Sequence, residues 1–147
     1  MYSNLRFQLE RLGEEYIAEL IKRLTQLDKI ASGNLINSLD WEVIETTNKV
    51  ILEIIGPDYL KWVDEGGRPG KMPPYDPIDR WVGQKGIQPR QGMTRNSLVW
   101  AIRKKIATEG IQPTNVLQKT EDSLFNRIQL LITLGLDKDI DVYISRI

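Results

Sequence analysis

The stretch "DWEVIETTNKVILEIIG", residues 40–56, decides the fold class. Trp41, Val43 and Glu45 alternate with Glu42 and Ile44, a polar turn follows at 46–48, and 50–55 is apolar except for Glu53. Two β-rich runs around a short polar turn predict an antiparallel hairpin. The second run, with its single polar residue, is expected to be the more buried strand.

Upstream, Leu5, Leu9, Leu12, Tyr16, Leu20, Leu24 and Leu27 recur at spacings of three and four, which predicts a helix over about 3–28 with one apolar stripe. Ile17 and Ile21 widen that stripe, which suits a core-facing helix and also one that packs on another subunit. The segment 31–39 reads as a short helical turn. Downstream, "GPDYLKWVDEGG" predicts a short helix with Pro57 near its start and Gly66 past its end. In "YDPIDRWVGQKG", Asp76 reads as the N-cap of a helix over about 77–85, with Pro77 at its first position and Ile78, Trp81 and Val82 on one face. Helical spacing of Leu98, Ala101, Ile102 and Ile106 predicts a helix over about 95–109, and Leu117, Leu124, Ile128, Leu131 and Ile132 predict another over about 115–133. In "DKDIDVYISRI", Ile140, Val142 and Ile144 alternate with Asp141, Tyr143 and Ser145. That pattern predicts a C-terminal strand over about 139–146, joined to the hairpin because a lone strand leaves its backbone groups unpaired. The expected architecture is one α+β domain over 1–147: a long N-terminal helix and a small antiparallel sheet, hairpin plus C-terminal strand, covered by short helices.

Two helices are followed by the same four residues, Gly86-Ile87-Gln88-Pro89 and Gly110-Ile111-Gln112-Pro113. Each predicts a glycine in the left-handed position, an isoleucine folded back on the last turn and a proline that prevents continuation. Only this terminator recurs, so no solenoid is implied.

The chain has 147 residues, no cysteine and no histidine, which excludes Cys- or His-based nucleophiles, zinc sites built on those ligands, and disulfides. An all-carboxylate magnesium site or a Ser-Lys pair is left chemically open. The Gly/Pro loop 66–75 contains Gly70-Lys71, an echo of a phosphate-binding loop. The motif's earlier glycine is Glu65 here, and the Ser or Thr after the lysine is Met72. Asp58, Asp64, Glu65, Asp76 and Asp79 read as capping and surface carboxylates, and the tryptophans at 41, 62, 81 and 100 as core anchors. No catalytic, metal-binding or cofactor-binding residue is expected, and no cofactor. Apolar runs fall short of the ~20 residues that span a bilayer, and the N-terminus does not read as a signal peptide, so a cytosolic chain is expected.

Lys plus Arg and Asp plus Glu both number 20, yet the charges are segregated. No acid lies between Asp79 and Glu109, where Arg80, Lys85, Arg90, Arg95, Arg103, Lys104 and Lys105 fall. Between 40 and 65 the acids Asp40, Glu42, Glu45, Glu53, Asp58, Asp64 and Glu65 face only Lys49 and Lys61. Three readings fit: solvated faces, nucleic-acid contact by the basic segment 80–105, or head-to-tail self-association of unlike surfaces.

The order of "SGNLINSL", hairpin, "DYLKWVDEGGRP", "PIDRWVGQKG" and "LVWAIRKKIATEGIQPTNVL" resembles the head-tail joining proteins of long-tailed bacteriophages, known as neck, tail-completion or putative tail-component proteins. The matching positions are Gly33, Leu35, Ser38 and Leu39; Tyr59, Trp62, Glu65 and Gly66; and Ala101, Ile106, Gly110 and Pro113. The likeness covers about 32–117. It departs in the proline-rich loop and in the spacing from Ala101 to Ile106, so the place in the particle stays open. The resemblance implies a non-enzymatic virion protein, assembled in the host cytoplasm as a homo-oligomeric neck ring of 6 or 12 copies. Its implied neighbours are portal, adaptor or tail-tube proteins, with passing contact to genomic DNA. The expected subunit or partner interface uses Asp58, Asp64 and Glu65 on one edge, Arg103, Lys104 and Lys105 on the other, and Arg68, Lys71 and Met72 from the loop. The alternative is a small nucleic-acid-binding or regulatory protein using 80–105.

Overall fold

The leucine stripe of the first helix organises two cores. The computed structural model describes residues 2–27 and 33–144, with the side chains of all of these but 33–35, 58, 59 and 141–144. Its elements are α1 (Ser3–Gln26), α2 (Gly33–Ser38), β1 (Asp40–Glu45), β2 (Val50–Ile55), α3 (Asp58–Glu65), α4 (Tyr75–Lys85), α5 (Arg95–Glu109) and α6 (Val116–Ile144). Leu5, Leu9 and Leu12 of α1 pack with Val43 of β1 and Leu131 of α6. Further along, Tyr16, Leu20 and Leu24 pack with Leu39, Leu60, Val63 and Val116. The fold is α+β, a long N-terminal helix with a two-stranded antiparallel sheet and further helices.

The hairpin pairs Trp41 with Ile54, Val43 with Leu52 and Glu45 with Val50. Directly opposed residues share a face, and this one turns to α1, where Val43 is buried and Trp41 lies over Gly13. The other face carries Ile44 opposite Ile51 and Asp40 opposite Ile55. Ile51 and Ile55 are exposed, so β2 is not the more buried strand. Its apolar run serves both faces of a sheet that has only one face covered.

A Cβ on Gly13 would stand 2.6 Å from the Trp41 ring. Gly13→Ala gains about 1 kcal/mol of helix propensity but overpacks a rigid ring at a cost of about 1–3 kcal/mol. We expect a net loss of about 1–2 kcal/mol in urea denaturation. Gly83→Ala, whose new methyl meets only the Arg95 Nη2 tip at 2.9 Å, should be neutral or stabilising.

The expected C-terminal strand is instead the last part of α6, which runs unbroken to Ile144; residues 145–147 lie outside the described residues. Leu131, Gly135 and Asp139 recur every four residues and are all buried. At Gly135 the helix comes so close to α1 that a Cβ would be 2.6 Å from Leu5 Cα. One turn on, the Asp139 carboxylate accepts the backbone N–H groups of Asn4 (3.0 Å) and Leu5 (2.9 Å) and the Asn4 side-chain amide (2.9 Å). A strand would break this contact. Midway along the antiparallel pair, Arg127 Nε and Nη2 each donate to Glu15 at 2.9 Å. The hydrogen bonds from Arg127 outweigh burial and hold the Glu15 carboxyl below its ordinary value.

Two local expectations also change. The fourth helix begins at Tyr75 with Pro74 in the cap position, and Asp76 makes no capping bond. Asp76 sits in the first turn, where its charge still suits the positive helix end. The two Gly-Ile-Gln-Pro segments also differ. Gly86 is left-handed (φ 67°, ψ 26°) and Ile87 N–H folds back to the Val82 carbonyl at 3.1 Å. Gly110 is not left-handed in that sense: it leaves α5 at φ 75°, ψ −170°, and Ile111 pairs with another segment.

Candidate interaction surface

The segment that Ile111 meets is the start of the Gly/Pro loop. Gly67 N–H donates to the Ile111 carbonyl at 2.9 Å and Ile111 N–H to the Gly67 carbonyl at 2.8 Å, a two-residue antiparallel stitch between the ends of α3 and α5. The loop then runs back along α5: Gly70 N–H donates to the Ala107 carbonyl (2.7 Å), and Arg103 Nε to the Pro73 carbonyl (2.8 Å). Arg103 and Ala107 are one turn apart on α5 and Ile111 lies just past its end, so the loop is a strap laid on its own chain. Arg68, Lys71 and Met72 are exposed on its outer side. The loop is thus clamped to its own chain and presents Arg68, Lys71 and Met72 on an exposed outer edge.

The residues expected at an interface therefore divide. Asp64 joins helices: its Oδ1 accepts the Leu117 N–H at 2.9 Å, capping the start of α6, and its carbonyl accepts Asn115 N–H at 3.0 Å. Arg103 holds the strap, and its guanidinium stacks 4.7 Å from the Trp100 ring and 5.8 Å from Tyr75. Glu65 is exposed, but it sits at the stitched end of α3, beside α5 rather than on an opposite edge. Lys104 and Lys105 are exposed, Lys105 within 4.0 Å of Glu109. The side chain of Asp58 lies outside the described residues. Elsewhere in the basic segment, Arg95 is bound to Asp79 at 2.7 Å.

Two of the four tryptophans are not core anchors. Trp62 is 55% exposed and Trp100 50%. Each lies on a short helix whose buried side is narrow: in α5 only Val99 is fully covered. A helix can present an apolar side chain outward without any change in its periodic signal, so the sequence alone did not separate these two from Trp41 and Trp81.

A groove of about 940 Å³ runs between β2 and α6 over a floor of Leu12 and Tyr16. Ile44, Ile51 and Ile54 line one side, Leu117, Phe125 and Ile128 the other; Glu53, Glu121 and Asp122 stand on it as acids. Phe125 is 57% exposed. Burial first, and then the charges of Glu121 and Asp64, push the Tyr16 hydroxyl up to about 12. Sequence reasoning missed this groove. Its signals were the outward parity of Ile44 and Ile51 and the offset of Phe125 from the stripe of Leu124, Ile128 and Leu131.

Comparison with protein-family models, with curated proteins and with solved structures finds no match. Among the described residues no group of acids is placed to hold a metal ion, and no helix is long and apolar enough to cross a membrane.

Proposed function

We propose that this chain is a structural subunit of a homo-oligomeric neck ring joining the head and tail of a long-tailed bacteriophage. The observation that carries this reading is an apolar, acid-lined groove on one side of the chain together with an exposed Trp100 on the basic helix α5. Unlike surfaces on a single chain are what head-to-tail self-association needs, and such contacts close into a ring when the rotation permits. Exposed Leu130, Leu134, Leu136 and Ile140 along α6 leave further apolar area for a neighbour above or below the ring. The order of sequence motifs supports the phage assignment, and two of its glycines, Gly66 and Gly110, flank the stitch.

The test is electron microscopy of the purified chain, alone and with a portal assembly. Closed rings support the proposal. A monomer that binds short duplex DNA with a steep salt dependence, and forms no ring, overturns it in favour of a nucleic-acid-binding protein. Reversing Lys104 and Lys105 to Glu should weaken assembly about tenfold or more at low ionic strength, with the gap narrowing as salt screens the charges. Sedimentation across a salt series measures it.

A further inference from the structure

We infer that Trp100 of one copy seats in the groove between β2 and α6 of the next, with Lys104 set against Glu121. This contact rests on the self-association reading and names the surfaces that carry it.

Trp100 and Lys104 are one helical turn apart on the exposed side of α5, and Phe125 and Glu121 are one turn apart on the groove side of α6. Both pairs are i,i+4, about 6 Å along a helix axis. Laid antiparallel, the two helices bring the indole to the Phe125 ring and the ammonium to the Glu121 carboxylate together. An aromatic pair and an ion pair are then made by one rigid-body contact.

The chemistry of each side fits the other. The Arg103 guanidinium covers one face of the Trp100 ring, which limits its motion and leaves an open face for a partner. Large, exposed and held aromatic side chains are typical centres of binding energy. The groove is apolar at its centre, with Ile44, Ile51, Phe125 and Ile128, and acidic around it, with Glu53, Glu121 and Asp122. Asp122 has one neutral partner, the Gln118 amide at 2.9 Å, and so keeps capacity for a cation. The segment that carries Trp100 has no acid between Asp79 and Glu109. No residue of α4 or α5 lines the groove, so a chain cannot fill it with its own Trp100 helix as folded, whereas a second copy can.

Sedimentation velocity of the full chain over a concentration series tests the contact. The wild type should associate, and Trp100→Ala should weaken association at least about thirtyfold, the effect of losing a central aromatic anchor. Glu121→Lys should weaken it at low salt, and Lys104→Glu combined with Glu121→Lys should recover most of the loss. Thermal melts matching the wild type establish that these exposed substitutions leave the fold intact. Because the contact joins unlike surfaces, a mixture of Trp100→Ala and Glu121→Lys chains should form a one-to-one complex and stop there: the first retains a working groove, the second a working Trp100. Wild-type association that neither variant changes overturns this contact and leaves the ring reading standing. A wild type that stays monomeric at every concentration overturns both.

Discussion

Gly110→Ala is expected to be among the most damaging single substitutions in this chain, at about 3–5 kcal/mol. At φ 75°, ψ −170° Gly110 occupies a region of backbone space open essentially to glycine alone, which costs another residue on the order of 1–3 kcal/mol. The added methyl would also run into the Gly67 carbonyl and stand 3.0 Å from Pro69 Cδ. These neighbours are backbone and a proline ring, so they cannot swing aside, and overpacking adds about 1–3 kcal/mol. Gly66 is its counterpart across the stitch, at φ 67°, ψ −162°, with a Cβ that would strike the Ile111 carbonyl. Gly66→Ala should match Gly110→Ala. Against a typical total stability of about 5–15 kcal/mol, either change should lower the melting temperature by roughly 10 °C. Gly70→Ala is the control: its φ of 113° is also unfavourable, but nothing lies within 4 Å of the new methyl. It should cost about 1 kcal/mol. Equal melting temperatures for the Gly110 and Gly70 variants would refute the stitch as a source of stability.

The second large effect is at Asp139. Helix α1 has Tyr2 in the cap position, without a side-chain capping bond, and no acid in its first turn. Its free N–H groups are satisfied by a carboxylate from the other end of the chain, at a sequence separation of 135 residues. Removing the acceptor strands the Asn4 and Leu5 N–H groups; charge-assisted bonds contribute about 1.5–3 kcal/mol each and are not additive. We expect Asp139→Ala to cost about 2–4 kcal/mol and Asp139→Asn, which keeps one acceptor oxygen, about half of that. Burial pushes the Asp139 carboxyl up, but the N–H donors of Leu5 and Asn4 pull harder, and the net value lies below the ordinary 3.8. A carboxyl held lower in the folded chain contributes fully above its unfolded value and loses that contribution as pH falls through the folded one. The difference between wild type and Asp139→Asn should therefore be constant near neutral pH and shrink below about pH 4. A gap that widened on acidification would exclude this role.

Much of this architecture was legible in local pattern, because local pattern is what the chain needs to form each element. The leucine stripe of α1 repeats for six turns and can only be a helix face. Alternation in 40–45, a polar turn and an apolar run can only be a hairpin; and α5 ends where Gly110 punctuates it. Charge segregation drew attention to α5, where Lys104 and Lys105 are exposed. Asp64 and Arg103 were taken for surface charges, yet each is engaged by backbone 30 or more residues away. No local rule detects that.

By itself, then, the sequence determined which segments are helical or extended over most of the chain, and which side of α1 is apolar. Three things were decided by the tertiary structure. The described part of the 139–146 alternation, up to Ile144, became helix because Gly135 and Asp139, four residues apart, close α6 onto the start of α1. Identical Gly-Ile-Gln-Pro segments took different backbone conformations because only the second has Gly67 beside it to pair with. Trp62 and Trp100 were left outside because the helices bearing them are covered on one narrow side. In each case several local conformations are close in energy, and hydrogen bonds and packing from residues distant in sequence are large enough to select one.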